Sequence, residues 1–121
     1  MNDIIRIETN SRASRAVIYN GIVYLCGMTA EDRSQDIRGQ TQQALARIEK
    51  YLALAGTDKS RLLTAQIWIK DIVNDFPIMN EIWDAWTVPG SPPTRATAQC
   101  DMGSPEVLVE IIVTAALPLQ A

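Results

Sequence analysis

The stretch Ala16-Val17-Ile18-Tyr19-Asn20-Gly21-Ile22-Val23-Tyr24-Leu25 sets two runs of β-branched and aromatic residues on either side of an Asn-Gly pair. Asn-Gly accepts the left-handed backbone that a two-residue turn needs, so the stretch predicts a β-hairpin. Upstream, Ile4 to Glu8 reads as a further strand. Downstream, from Ser34 to Ala55, the positions Ile37, Thr41, Ala44, Leu45, Ile48, Leu52 and Ala55 recur at helical spacing, with Gln40, Arg47 and Glu49 expected on the other side. Ser34 or Asp36 suits the start of that helix and Gly56 its end. Leu63, Ala65, Ile67 and Ile69 then alternate with Thr64, Gln66, Trp68 and Lys70, the period of a strand.

A second helix is expected to begin near Asn74-Asp75, with Pro77 in its first turn and Phe76, Met79, Trp83 and Trp86 along one face packed on a sheet. Two more strand-like tracts follow, Pro92-Pro93-Thr94-Arg95-Ala96-Thr97-Ala98-Gln99-Cys100 and the last apolar run around Val109-Glu110-Ile111. Three strands, a helix, a strand, a helix and two strands make an α+β fold, with both helices on one face of a six-stranded sheet. Trp68, Ile111 and Val113 are read as its outer face, more apolar than an isolated small domain needs and so suited to cover by another subunit.

Composition narrows the function. At 121 residues, with 47% hydrophobic content and short turns as its only punctuation, the chain reads as one domain, 1–121. A net charge of −3 without a basic cluster disfavours nucleic acid and anionic membranes. The N-terminus lacks a basic run followed by a long apolar stretch, and no segment has the apolar length of a membrane span, so a cytoplasmic protein is expected. Cys26 and Cys100 are too far apart and too few for a disulfide framework or zinc site and are read as buried, reduced thiols. Histidine is absent, which removes the usual general base and the Ser-His and Cys-His nucleophile systems.

Two charges interrupt otherwise core-like tracts. Arg95 is the only charged residue between Asp84 and Asp101, and Glu110 the only one from Val107 onward. A guanidinium grips a carboxylate at two points, and a carboxylate orients or activates water. On spacing alone the two read equally well as a cross-strand ion pair.

The tracts Pro93-Thr94-Arg95-Ala96 and Val109-Glu110-Ile111, with Val23-Tyr24-Leu25-Cys26-Gly27, Gln40-Thr41-Gln42-Gln43-Ala44-Leu45, Ala55-Gly56 and Met79-Asn80-Glu81-Ile82-Trp83, resemble the RidA/YjgF family of enamine/imine deaminases over nearly the whole chain. The resemblance implies a chorismate-mutase-like homotrimer, with a mixed or antiparallel sheet and sites between subunits. It implies that Arg95 binds the substrate carboxylate and that Glu110 serves the attacking water. Gly27 matches a glycine whose backbone lines the pocket, although it also reads as a strand-end glycine permitting a bulge. Asn80 matches an asparagine near the site, although it also reads as a solvated helix residue. Thr97 stands where better-known members have a cysteine, its hydroxyl still able to bond substrate, and Ala13 stands where they have a tyrosine.

The expected reaction is cofactor-independent hydrolysis of a 2-imino acid or its enamine tautomer to a 2-oxo acid and ammonia, with no metal. Arg12 and Arg15, close to Ala13, would favour a substrate with a second acidic or polar group. The alternative is a non-catalytic trimeric sensor or regulator that binds a small carboxylate. Ribonuclease activity, attributed to some members, is disfavoured by the acidic balance and the missing histidines.

Overall fold

Asn20 and Gly21 both adopt positive φ (52° and 76°), the geometry that turns β2 (Ser14–Tyr19) into β3 (Ile22–Leu25) with Tyr19 opposite Ile22. The computed structural model describes residues 3–119. The outermost positions of the single-domain reading, 1–2 and 120–121, lie outside that range. β1 (Ile5–Thr9), the strand expected at Ile4 to Glu8, pairs antiparallel with β2. After β3 come α1 (Ile37–Ala55), β4 (Leu62–Ile69), α2 (Ile72–Trp86), β5 (Thr94–Gln99) and β6 (Val109–Ala116). The strands form one mixed sheet in the order β1-β2-β3-β6-β4-β5. Every pairing is antiparallel except β4 with β5, which α2 links as a crossover.

Asp36, the second of the two proposed caps, accepts the Gly39 N–H at 2.9 Å and starts α1. Gly56, at φ 94°, ends it, with the Thr57 N–H returning to the Leu52 carbonyl at 2.9 Å. Ile37, Thr41, Ala44, Leu45, Ile48, Leu52 and Ala55 are all buried, and α1 packs on β6, β3, β2 and α2. Ile48, Leu52, Ile67 and Ile111 are fully enclosed between helix and sheet. Each such side chain stabilises the fold by about 1.5–3 kcal/mol relative to exposure.

Five expectations are corrected. Gln40 is not on the solvent side of α1; it is 1% exposed. Its Nε2 donates to the carbonyls of Arg33, Gln35 and Glu106, and its Oε1 accepts the Leu108 N–H, so a buried amide joins the loop before α1 to the loop before β6. α2 starts earlier than expected because Asp71 caps it, accepting the Asn74 N–H at 3.2 Å. Pro77 therefore sits in the second turn, and the carbonyl it leaves free belongs to Val73, 80% exposed and open to water.

Leu63 does not belong to the inward set of β4. A register shift between Leu62 and Thr64 turns Leu62 into the core and Leu63 outward, after which Ala65, Ile67 and Ile69 resume the alternation. Ile111 and Val113 are not on the outer face. They oppose Ile67 and Ala65 and are buried under the helices, so the alternation places Glu110, Ile112 and Thr114 outward instead. Trp68 is outward, as read, directly opposite Glu110. Both cysteines are unpaired but only half-buried: Cys26 opens onto the outer face and Cys100 follows the end of edge strand β5.

Candidate functional site

Arg95 lies on β5 beside Ala65, an inward position, so its side chain leaves the sheet on the helix side. There its guanidinium sits over the rings of Phe76 and Trp83 of α2, 5.8 and 5.7 Å from their centroids. Such stacking holds the group by about 0.5–2 kcal/mol without cancelling its charge. Among the described residues no carboxylate lies within ion-pair distance of Arg95. A half-buried guanidinium resting on two aromatic faces, its in-plane donors unspent, is prepared for an anion from outside the chain.

Two further polar side chains stand on the same side of the sheet as Arg95. Thr97, two residues along β5, shares its face, and Asn80 lies on the Phe76-Asn80-Trp83 stripe of α2 at the i, i+4, i+7 spacing. Thr97 Oγ1 and Asn80 Oδ1 are both buried without a hydrogen-bond partner. An orphaned buried polar atom costs about 1–3 kcal/mol, and here two occur beside one free guanidinium. Asn80 is therefore not a solvated helix residue.

The rest of the structure fixes this arrangement. Gln99, at the end of β5, accepts the Ile72 N–H at 3.0 Å and pins the start of α2 to the strand. Met79 is fully buried beneath the helix. Trp83 stacks against Trp86 with centroids 5.4 Å apart, and Trp86 donates its Nε1–H to Glu49 of α1 at 3.0 Å. The face of Phe76, Met79, Trp83 and Trp86 is thus both helix packing, as expected, and a platform for Arg95.

Glu110 stands elsewhere. β4 lies between β5 and β6, and Glu110 leaves the sheet on the face opposite the helices, so the cross-strand ion pair does not form. Within one chain Arg95 and Glu110 are not brought together. Glu110 is instead joined to Gly27. A Cβ at Gly27 would stand 2.1 Å from Glu110 Oε2, so the carboxylate lies directly on the glycine backbone. The bulge reading also holds: Tyr24 opposes Thr114, but Met28, four residues on, opposes Ile111, only three residues back.

Two part-sites result, one on each side of the sheet. The first is Arg95, Thr97 and Asn80 against Phe76 and Trp83; the second is Glu110 over Gly27, beside Trp68. The second opens onto a face where Tyr24 and Trp68 are 46% and 38% exposed and no helix packs. The sequence reading named the residues of both part-sites but missed the ring platform and the division between faces. The i, i+4, i+7 spacing of Phe76, Asn80 and Trp83 was the available signal for the platform.

The chain is thus a two-layer α+β domain with an unpaired guanidinium on one face of its sheet and an acid on the other. Residues 4–117 match the family described as Endoribonuclease L-PSP. A RutC family protein from Haemophilus ducreyi is 43% identical over 114 residues, covering 94% of this chain and 97% of that one. The RutC family protein YoaB of Escherichia coli is 40% identical over 114 residues, covering 94% and 98%. Among solved structures, a YjgF-family protein from Neisseria meningitidis superposes with a TM-score of 0.94 at 38% identity, covering 98% of each chain. A YjgF-family protein from Mycobacterium tuberculosis does so with 0.83 at 26%, covering 95% and 100%. The chain belongs to the YjgF/RidA family, and none of its described helices is long and apolar enough to cross a membrane.

Proposed function

We propose that the protein hydrolyses 2-imino acids and their enamine tautomers to 2-oxo acids and ammonia, without a cofactor, in clefts where Arg95 of one subunit faces Glu110 of the next in a homotrimer. The observation that carries this reading is the unpaired guanidinium of Arg95 beside the orphaned Thr97 Oγ1 and Asn80 Oδ1. Arg95 takes the substrate carboxylate at two points, and Thr97 donates a further hydrogen bond. Because the two part-sites leave opposite faces of one sheet, a complete site takes its acid from a second copy, and the apolar outer face gives that copy a place to pack. Repeated head to tail, such contacts close into a ring, and the family resemblance sets the number at three.

In the chemistry, water adds to the electrophilic imine carbon as its proton passes to Glu110. Glu110 passes that proton to the nitrogen, giving the amino alcohol; it then takes the hydroxyl proton and delivers it to the amino group, so that the C–N bond breaks and ammonia leaves as the carbonyl forms. The protein supplies position and a base. The imine carbon is reactive already, so neither a metal nor histidine is required.

A second reading has its own support. Every group of the carboxylate-binding part-site lies in one chain, as a non-catalytic sensor of 2-oxo acids would require. Ribonuclease action, which the family description names, finds little support in a chain of net charge −3 without histidine. The deciding test generates imines from a panel of amino acids, traps them as semicarbazones, and asks whether the protein slows semicarbazone formation. Arg95→Lys should lose 2-oxo acid binding nearly as fully as Arg95→Ala, since an ammonium lacks the planar grip. Glu110→Gln should keep that binding and lose about 10²–10⁴ in turnover. No hydrolysis by the wild type of any imine, with binding intact, would establish the sensor instead.

A further inference from the structure

We propose that Arg15 forms a subsite for a second carboxylate, making dicarboxylic 2-imino acids, such as the imine of glutamate, the preferred substrates. The proposal rests on the hydrolase reading above and names its substrate class. Arg15 projects from β2 on the same outer face as Glu110, next to Cys26 of the strand end that Gly27 continues. Its Nη1 leans onto Cys26 Sγ at 3.9 Å, a weak contact that leaves the other guanidinium donors unused. Among the described residues Arg15 forms no ion pair. Glu8, the acid nearest in the surrounding cavity, is engaged by the Tyr51 hydroxyl at 2.9 Å.

That cavity, of about 120 Å³, is lined by Glu8, Asn10, Ala13, Ser14, Arg15 and Cys26. Arg12 is held in the neighbouring turn, its N–H bonded to Asn10 Oδ1, and does not line it. In the β2–β3 register Arg15 stands opposite Cys26, and the Glu110 carboxylate lies on Gly27, the next residue along that strand end. The Arg15 guanidinium, leaning on Cys26, and the Glu110 carboxylate thus stand over adjacent residues whose Cα atoms are about 3.8 Å apart. Three bonds span about 3.8 Å, so an acid group two or three carbons from the reacting centre at Glu110 falls within reach of Arg15. A monocarboxylic substrate leaves this cation unused.

The test compares hydrolysis of the imines of glutamate and leucine, and binding of 2-oxoglutarate and 4-methyl-2-oxopentanoate, for wild type, Arg15→Gln and Arg15→Lys. Wild type should favour the dicarboxylic member in both assays. Loss of one charge-assisted contact in Arg15→Gln should lower kcat/KM and affinity for that member by about tenfold or more, with the leucine series changed less than about twofold. Arg15→Lys should retain part of the preference as a point charge. Equal losses in both series, or no preference in the wild type, overturn the subsite while leaving the hydrolase standing. Absence of hydrolysis with an Arg15-dependent preference for 2-oxoglutarate overturns the hydrolase reading and keeps the subsite.

Discussion

A single methyl group at Gly27 should separate catalysis from binding. In Gly27→Ala the new Cβ would meet Glu110 Oε2 at 2.1 Å and Cδ at 2.9 Å, where ordinary contact begins at 3.4 Å. The carboxylate must therefore retreat by about 1.3 Å, the difference between 3.4 and 2.1 Å. Gly27 does not hold a positive φ, so alanine meets no backbone strain, and the atoms displaced are the far end of a flexible side chain. The stability cost is thus expected to stay within about 1 kcal/mol. An ångström of misplacement costs turnover about 10²-fold, so imine hydrolysis should fall by that order while 2-oxo acid affinity at Arg95 is unchanged. The assay pairs semicarbazone trapping with titration calorimetry and thermal melting, and adds the Gly27→Ala/Glu110→Gln double variant. The double variant should be little worse than Glu110→Gln alone, because both changes remove one function. A Gly27→Ala protein that folds and hydrolyses imines at the wild-type rate would refute the assignment of Glu110 to the water.

Thr97→Val removes a buried hydroxyl that has no partner, so stability should hold or rise while 2-oxo acid affinity falls by about tenfold, read by melting and calorimetry together. Ile112→Glu puts a charge in the middle of the outer sheet face; sedimentation should show dissociation to monomer and hydrolysis should vanish with it, whereas a monomeric wild type at micromolar concentration would remove the shared-site geometry. The Asp75 carboxyl is pushed above its usual 3.8, by burial first and then by Asp71 and Asp36. A raised carboxyl binds its proton more tightly when folded, so stability falls as pH rises through and above that value. Asp75→Asn should therefore be the more stable protein at pH 7, with the difference closing below about pH 4 in denaturant titrations.

Local chemistry was legible where one interaction decides the outcome. Asn20-Gly21 specifies its turn, and the seven apolar positions of α1 specify its buried face, because both depend on neighbours a few residues away. The face carrying Ile111 and Val113 was misread because alternation defines two sets of side chains without saying which set meets the helices. Leu63 was misread because a one-residue register shift reverses inside and outside. Gln40 is polar by composition yet buried by circumstance, its partners lying in loops that only the completed fold brings together. Arg95 and Glu110 were recognisable as displaced charges, but their separation by β4 is a property of strand order, which no local pattern encodes.

Strand order also bears on how the chain is made. β6 lies between β3 and β4, yet it is the last of the six strands to be synthesised. Until residues 109–116 emerge, β3 and β4 each present an open row of peptide groups, and the α1 surface that covers Ile111 and Val113 lacks its counterpart. At about 5–20 residues per second, the nascent polypeptide spends seconds in that unfinished condition. The sheet therefore closes only after translation has passed Ala116, by insertion of a central strand, and ribosome-stalled chains ending before Val109 should be protease-sensitive and prone to join one another through the vacant slot.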